Sequence, residues 1–121
     1  MVTSTTIDSL LLNVAKLVAI SPEEENSLRT YFTEKRLLRK QFLLQADETC
    51  RHDNYVVSGS LRAFYVDKDG DEHTLQLAID DYWITDLNSL MNETASSIYI
   101  QALEPSEVLQ IESKNLNILL A

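Results

Sequence analysis

From residue 33 onward the apolar residues of this chain leave helical spacing and fall on every second position, in short runs closed by polar turns. Such alternation puts successive side chains on opposite faces of a strand, one toward a core and one toward water. β-Branched and aromatic residues fill the runs, which predict strands at 33–38, 42–45, 54–58, 61–66, 72–79, 97–103 and 107–111. The clearest pairing lies across Asp67-Lys68-Asp69-Gly70-Asp71, because Asp-Gly supplies the positive φ angles of a tight hairpin turn. In the returning strand His73, Leu75, Leu77 and Ile79 alternate with Glu72, Thr74 and Gln76, the pattern of a half-buried strand.

The longer helical signals stand at the two ends. Ile7, Leu10, Leu11, Val14, Leu17 and Val18 recur at spacings of three and four, one apolar helical face over 7–20. Ser21-Pro22-Glu23-Glu24 then starts a second helix running to about Phe32: Ser21 is the N-cap, Pro22 suits the first turn, and Glu24 completes a capping box. Leu28, Tyr31 and Phe32 are its inward residues. Ser113 caps a short helical pattern that reaches Ala121. Helices followed by seven or eight short antiparallel strands predict an α+β, mainly β domain, a jelly roll (double-stranded β-helix) with N-terminal helices and a short C-terminal helix. The expected layout is one domain over 1–121: helical over 1–32, barrel over 33–112, and the start of a further helix over 113–121.

Composition narrows the function. With 121 residues, 45% hydrophobic and 24% charged, the chain supports one domain with a core. No apolar run nears the roughly 20 residues of a membrane span, and no secretory signal opens the chain, so a cytoplasmic protein without membrane contact is expected. Cys50 is the sole cysteine, which excludes an internal disulfide or a multi-cysteine metal site and suits a reducing compartment. A net charge of −9 argues against unaided nucleic-acid binding. The one basic run, Lys35-Arg36-Leu37-Leu38-Arg39-Lys40, reads as a solvated strand edge.

Enzyme chemistry finds little support. A mononuclear metal site needs two or three histidines and a carboxylate, and the chain has only His52 and His73, far apart and unpatterned. Asp67, Asp69 and Asp71 approach a calcium loop, but Gly70 is one place early and Ala78 stands where a bidentate Glu is required. Ser58-Gly59-Ser60 lacks the flanking pattern of a nucleophile elbow. The chain is expected to be a binding protein without catalytic residues or cofactor.

One segment resembles a phosphate cradle: Tyr82-Trp83-Ile84-Thr85-Asp86-Leu87, a short helical stretch, then Ala95-Ser96-Ser97-Ile98 before the next strand. Helix-start N–H groups there suit a phosphate. Yet Asp86 is acidic, and no Arg or Lys stands between Lys68 and Lys114.

The preceding stretch, Tyr55-Val56-Val57-Ser58-Gly59-Ser60-Leu61-Arg62-Ala63-Phe64-Tyr65-Val66-Asp67-Lys68-Asp69-Gly70, resembles the hairpin of cyclic-nucleotide-binding domains, in which a glycine bends the chain between two strands. In strand order the chain is similar to the sensor domains of Crp/Fnr-family bacterial transcription regulators. That resemblance implies a phosphate-binding cassette of Thr85, Asp86, Leu87, Ser96, Ser97 and Ile98, with Leu61, Ala63 and Trp83 lining the pocket. Core packing beneath the loop is the other role open to Tyr82-Trp83-Ile84. The family's glycine is replaced by Thr85, its glutamate by Asp86 and its phosphate-pairing arginine by Ser96, while Ser97 keeps the small hydroxyl residue. Loss of one partner of a buried charge pair costs about 2–5 kcal/mol, a roughly 30- to several-thousand-fold loss of affinity.

Arg62 is the one nearby substitute cation, and strand alternation turns it away from Leu61, Ala63 and Tyr65. The resemblance therefore implies a regulatory domain with a degenerate cassette, sensing a small-molecule effector or none. A cyclic-nucleotide receptor with an unusual phosphate partner is the alternative. The family also implies a homodimer in the full-length protein, and DNA contact only through a C-terminal helix-turn-helix domain absent from these residues.

Overall fold

The computed structural model describes residues 7, 8, 10–12 and 21–115. Ser21 opens helix α1 (Pro22–Tyr31) with the full capping box: its hydroxyl accepts from the Glu24 N–H at 3.1 Å, and the Glu24 carboxylate accepts from the Ser21 N–H at 3.2 Å. The described residues among 7–12 are helical, in keeping with the expected first helix; Val14, Leu17 and Val18 lie outside the described residues. At the other end 113–115 are helical, and 116–121 again lie outside them.

Eight strands follow α1: β1 (Phe32–Leu37), β2 (Phe42–Leu44), β3 (His52–Ser58), β4 (Leu61–Val66), β5 (Glu72–Ala78), β6 (Trp83–Ile84), β7 (Tyr99–Ala102) and β8 (Ser106–Glu112). They form two four-stranded sheets, ordered β1-β8-β3-β6 and β2-β7-β4-β5. All pairings are antiparallel, and consecutive strands repeatedly change sheet, which rolls the chain into the expected jelly roll. The sequence reading missed only β6, whose two residues are too few to show a period.

Period two explains the core. Leu37, Val56, Val108 and Ile84 from the first sheet meet Leu61, Ala63, Ile100 and Ala102 from the second, each 3% exposed or less. The opposite face of the first sheet carries a second cluster, Phe32, Tyr55, Leu109 and Ile111, covered by Ile7 and Leu10 with Leu28 and Tyr31 leaning on it. Burial of each such side chain contributes about 2 kcal/mol, so the N-terminal helices belong to the domain.

β5 departs from expectation. Its apolar residues Leu75 and Leu77, and Ile79 just after it, are 57%, 58% and 52% exposed. The register gives the reason: Ala78 lies opposite Leu61 and Gln76 opposite Ala63, so the small and polar residues face the core and Leu77, opposite Arg62, faces out. β5 is also the edge of its sheet, and the pairing slips between Ala63 and Phe64.

The two turns read from the sequence take the shapes assigned to them. Gly59 has φ +105°, and a Cβ there would stand 2.2 Å from Ser106 Oγ and 2.8 Å from Ser106 Cα, so glycine alone fits. In the Asp67–Asp71 turn the Asp67 carboxylate accepts from the N–H groups of Asp69 and Asp71 and contacts His73 Nε2 at 2.7 Å. Those bonds, with the His73 contact foremost, hold the Asp67 carboxyl below its usual range. The carboxylate serves the hairpin.

Candidate functional site: a cassette closed by its own carboxylate

The cassette begins where β6 ends. Ile84 is buried, and Thr85 turns its hydroxyl back to donate to the His52 carbonyl at 2.8 Å, with Cys50 Sγ 3.2 Å away. Asp86, in extended conformation, is the N-cap of a six-residue helix, α2 (Leu87–Asn92). One oxygen of its carboxylate accepts from the Ser89 N–H at 3.2 Å. The other accepts from the Ser96 hydroxyl at 2.6 Å. Ser96 is 2% exposed, and its Oγ also accepts from the Ile98 N–H at 3.1 Å.

A second set of bonds holds the cassette to the arm at residues 47–50. The Ser96 N–H donates to the Glu48 carbonyl and the Asp47 N–H to the Ser96 carbonyl, both at 2.7 Å. Thr49 bridges to Ala95. Ser89, 1% exposed, accepts from the Cys50 N–H at 2.8 Å and donates to the Thr94 carbonyl at 2.5 Å. Glu93 ends the helix in the left-handed region, at φ 56° and ψ 38°.

The structure thus brings Thr85, Asp86, Ser96 and Ile98 together and separates the other candidates from them. Leu87 is 62% exposed, and Ser97 is exposed. Ile98 is half-buried against the inner core, which Leu61 and Ala63 share. Trp83 points the other way. Its ring packs on Tyr55 at 5.3 Å and Phe32 at 6.1 Å, both members of the outer cluster, because Ile84 takes the inward position of this two-residue strand. Packing, the other role open to Trp83, is what its position supplies.

Arg62 is committed elsewhere. Its guanidinium bonds Glu72 at 2.6 Å, lies 3.4 Å from the Gln101 side-chain oxygen, and stacks 3.9 Å over the Phe64 ring. It lies opposite Gln101 and Leu77 on the outer face of its sheet, away from Leu61 and Ala63. The Asp86 carboxylate already occupies the cap position and holds the Ser89 N–H and the Ser96 hydroxyl, and no Arg or Lys stands in the sequence between Lys68 and Lys114. Ser89 and the 47–50 arm escaped the sequence reading; Asp86 three residues before Ser89 signals a cap, but nothing local signals a buried hydroxyl joined to Cys50, 39 residues away.

Beside the arm lies a cavity of about 310 Å³ between the sheets, lined by Leu43, Leu44, Cys50, His52, Asn54 and Gln110, with Glu48, Thr49 and Arg51 completing it. None of the cassette candidates lines it. Burial holds the His52 imidazole below its ordinary basicity.

Comparison with known proteins now has a geometry to meet. The family model "Cyclic nucleotide-binding domain" matches residues 34–121. The chain is similar to the catabolite activator protein of Thermus thermophilus, at 24% identity and TM-score 0.72 over 84% of this chain and 47% of that one. It is also similar to the sensor domain of the transcriptional regulator DNR from Pseudomonas aeruginosa, at 17% identity and TM-score 0.80, covering 96% and 77%. A third similar structure is the regulatory subunit of a cAMP-independent protein kinase A from Trypanosoma cruzi bound to guanosine, at 16% and 0.78, covering 96% and 40%. The chain thus spans about half of the Thermus protein, and no curated protein matches it in sequence. Among the described residues no helix is long and apolar enough to cross a membrane. The likeness to sensor domains of bacterial transcription regulators holds at the level of fold, and the chain belongs to the cyclic nucleotide-binding domain family.

Proposed function

We propose that this domain is the sensor module of a Crp/Fnr-type transcription regulator whose cassette has lost the cyclic phosphate and whose effector, where one acts, carries no phosphate. The observation that carries the proposal is the Asp86 carboxylate, with one oxygen on the helix-start N–H of Ser89 and the other on the Ser96 hydroxyl. A phosphate placed there would meet that carboxylate without a compensating cation, and at about 4 Å two like charges repel by about 4 kcal/mol near a protein surface. The similar Trypanosoma cruzi subunit, bound to guanosine, supports a phosphate-free ligand in this fold. Dimerisation and DNA contact belong to the complete regulator, with the helix-turn-helix outside these residues and the protein in the cytoplasm.

The test is an amide-resolved NMR titration with cyclic AMP and cyclic GMP. At about 1 mM nucleotide, the millimolar regime of weak binding, the amides of Ser89, Ser96 and Ile98 should stay in place. Saturable shifts at those amides with a micromolar midpoint would refute the proposal.

A further inference from the structure

We propose that the 310 Å³ cavity between the sheets is a binding site for a small uncharged molecule carrying a hydrogen-bond donor beside an acceptor, as a lactam or cyclic urea edge does, and that its occupancy is passed to the cassette through the 47–50 arm. The volume lies at the lower end of small-ligand pockets. Leu43 and Leu44 supply an apolar wall. Asn54, 3% exposed, is fixed by donating from Nδ2 to the Ile84 carbonyl at 2.9 Å, and it accepts from Gln110 Nε2 at 2.9 Å. That relay orients the Gln110 amide, whose carbonyl oxygen and second N–H form no bond with the described residues. An amide so held offers an acceptor and a donor side by side, the complement of a lactam edge. The neutral imidazole of His52 adds one donor or acceptor. One carboxylate, Glu48, and one guanidinium, Arg51, balance each other, which favours an uncharged guest.

The coupling follows from the arm, because residues that line the cavity are the ones bound to the cassette. The Cys50 N–H is bonded to Ser89, Glu48 holds Ser96, and Thr49 pairs with Ala95. A guest that shifts the arm shifts the bonds that close the cassette. The coupling half of the proposal rests on the sensor function above; the cavity half stands without it.

Uracil is the probe, and Cys50, the chain's sole cysteine, is the reporter. At about 10 mM uracil, alkylation of Cys50 by iodoacetamide should slow about threefold, the protection given by a millimolar site. Amide shifts should appear at His52, Asn54 and Gln110 and extend to Ser89 and Ser96. Gln110→Leu should abolish both effects, and Leu43→Phe, which fills the cavity, should do so independently. Unchanged alkylation with no shifts in the wild-type protein overturns the site. Full protection in Gln110→Leu overturns the donor–acceptor recognition, and shifts that stop at the cavity overturn the coupling. A parallel cyclic AMP titration that moves Ser96 would sink the closed cassette and leave the cavity result standing.

Discussion

The cassette and the inter-sheet cavity share the 47–50 arm as a common wall, yet their polar groups are arranged in opposite ways. On the cassette side three donors are taken by the protein itself: Ser89 N–H and Ser96 O–H by Asp86, and Ile98 N–H by Ser96. On the cavity side the amide of Gln110 is oriented but only half used. A hydrogen-bonded site that satisfies itself offers an incoming ligand only exchange, since each new bond replaces an old one. A site with oriented, unspent groups offers gain. On the reading proposed above, ligand chemistry lies at the cavity rather than at the helix start.

The largest effect should come from the seam between the two. Ser89→Ala leaves the buried Cys50 N–H and the Thr94 carbonyl without their partner, and should cost about 2–3 kcal/mol in urea unfolding, seen as a lower midpoint at unchanged slope. Next is the closure itself. Asp86→Ala removes an N-cap and the acceptor of a buried hydroxyl, for about 1–2 kcal/mol. Ser96→Ala should cost a similar amount, and the two changes should be non-additive by about 1 kcal/mol in a double-mutant cycle. Additivity would mean that the Asp86–Ser96 bond contributes nothing.

β3 supplies a pH test, because His52 lines the cavity and Asp53, on the opposite face, does not. Burial raises the Asp53 carboxyl to about 6, the Asn54 N–H offsetting part of the rise. The folded protein therefore binds the Asp53 proton more tightly than the unfolded chain, and stability from this group falls as pH climbs from about 4 to about 6. Asp53→Asn should remove that slope and stabilise the protein at pH 7 by about 1 kcal/mol, discounted for the solvent that still reaches the group. The remaining slope should have the opposite sign. With its imidazole held below ordinary basicity, His52 favours unfolding as pH falls below about 6.5. Thermal melts of both proteins at pH 4, 5.5 and 7 check it. Gln110→Leu should cost about 1 kcal/mol, because the buried Asn54 side-chain oxygen loses the donor it accepts from.

The fold was legible because its signals are local and repeated. Alternation marked seven of the eight strands, and Gly59, Gly70, Ser21 and Glu24 marked turns and a cap by chemistry that needs no partner far away. β5 shows the limit: Leu75, Leu77 and Ile79 alternate correctly, but alternation does not say which face is covered, and an edge strand left them outside. Trp83 shows another, since two residues of β6 cannot declare a direction. At the cassette the sequence revealed the replacement of a cation by Ser96. It did not reveal that Ser96 would be held by Asp86 ten residues earlier, or that the arm at 47–50 would be stitched to both sides of the loop. Those contacts join residues through space, and only the folded chain brings them into view.

Isothermal titration of the wild-type protein with cyclic AMP bears on the closed cassette without intermediaries. The Asp86–Ser96 closure predicts no saturable heat up to about 1 mM nucleotide. A micromolar dissociation constant that disappears in Asp86→Ala would contradict it, and would make that carboxylate part of a working nucleotide site.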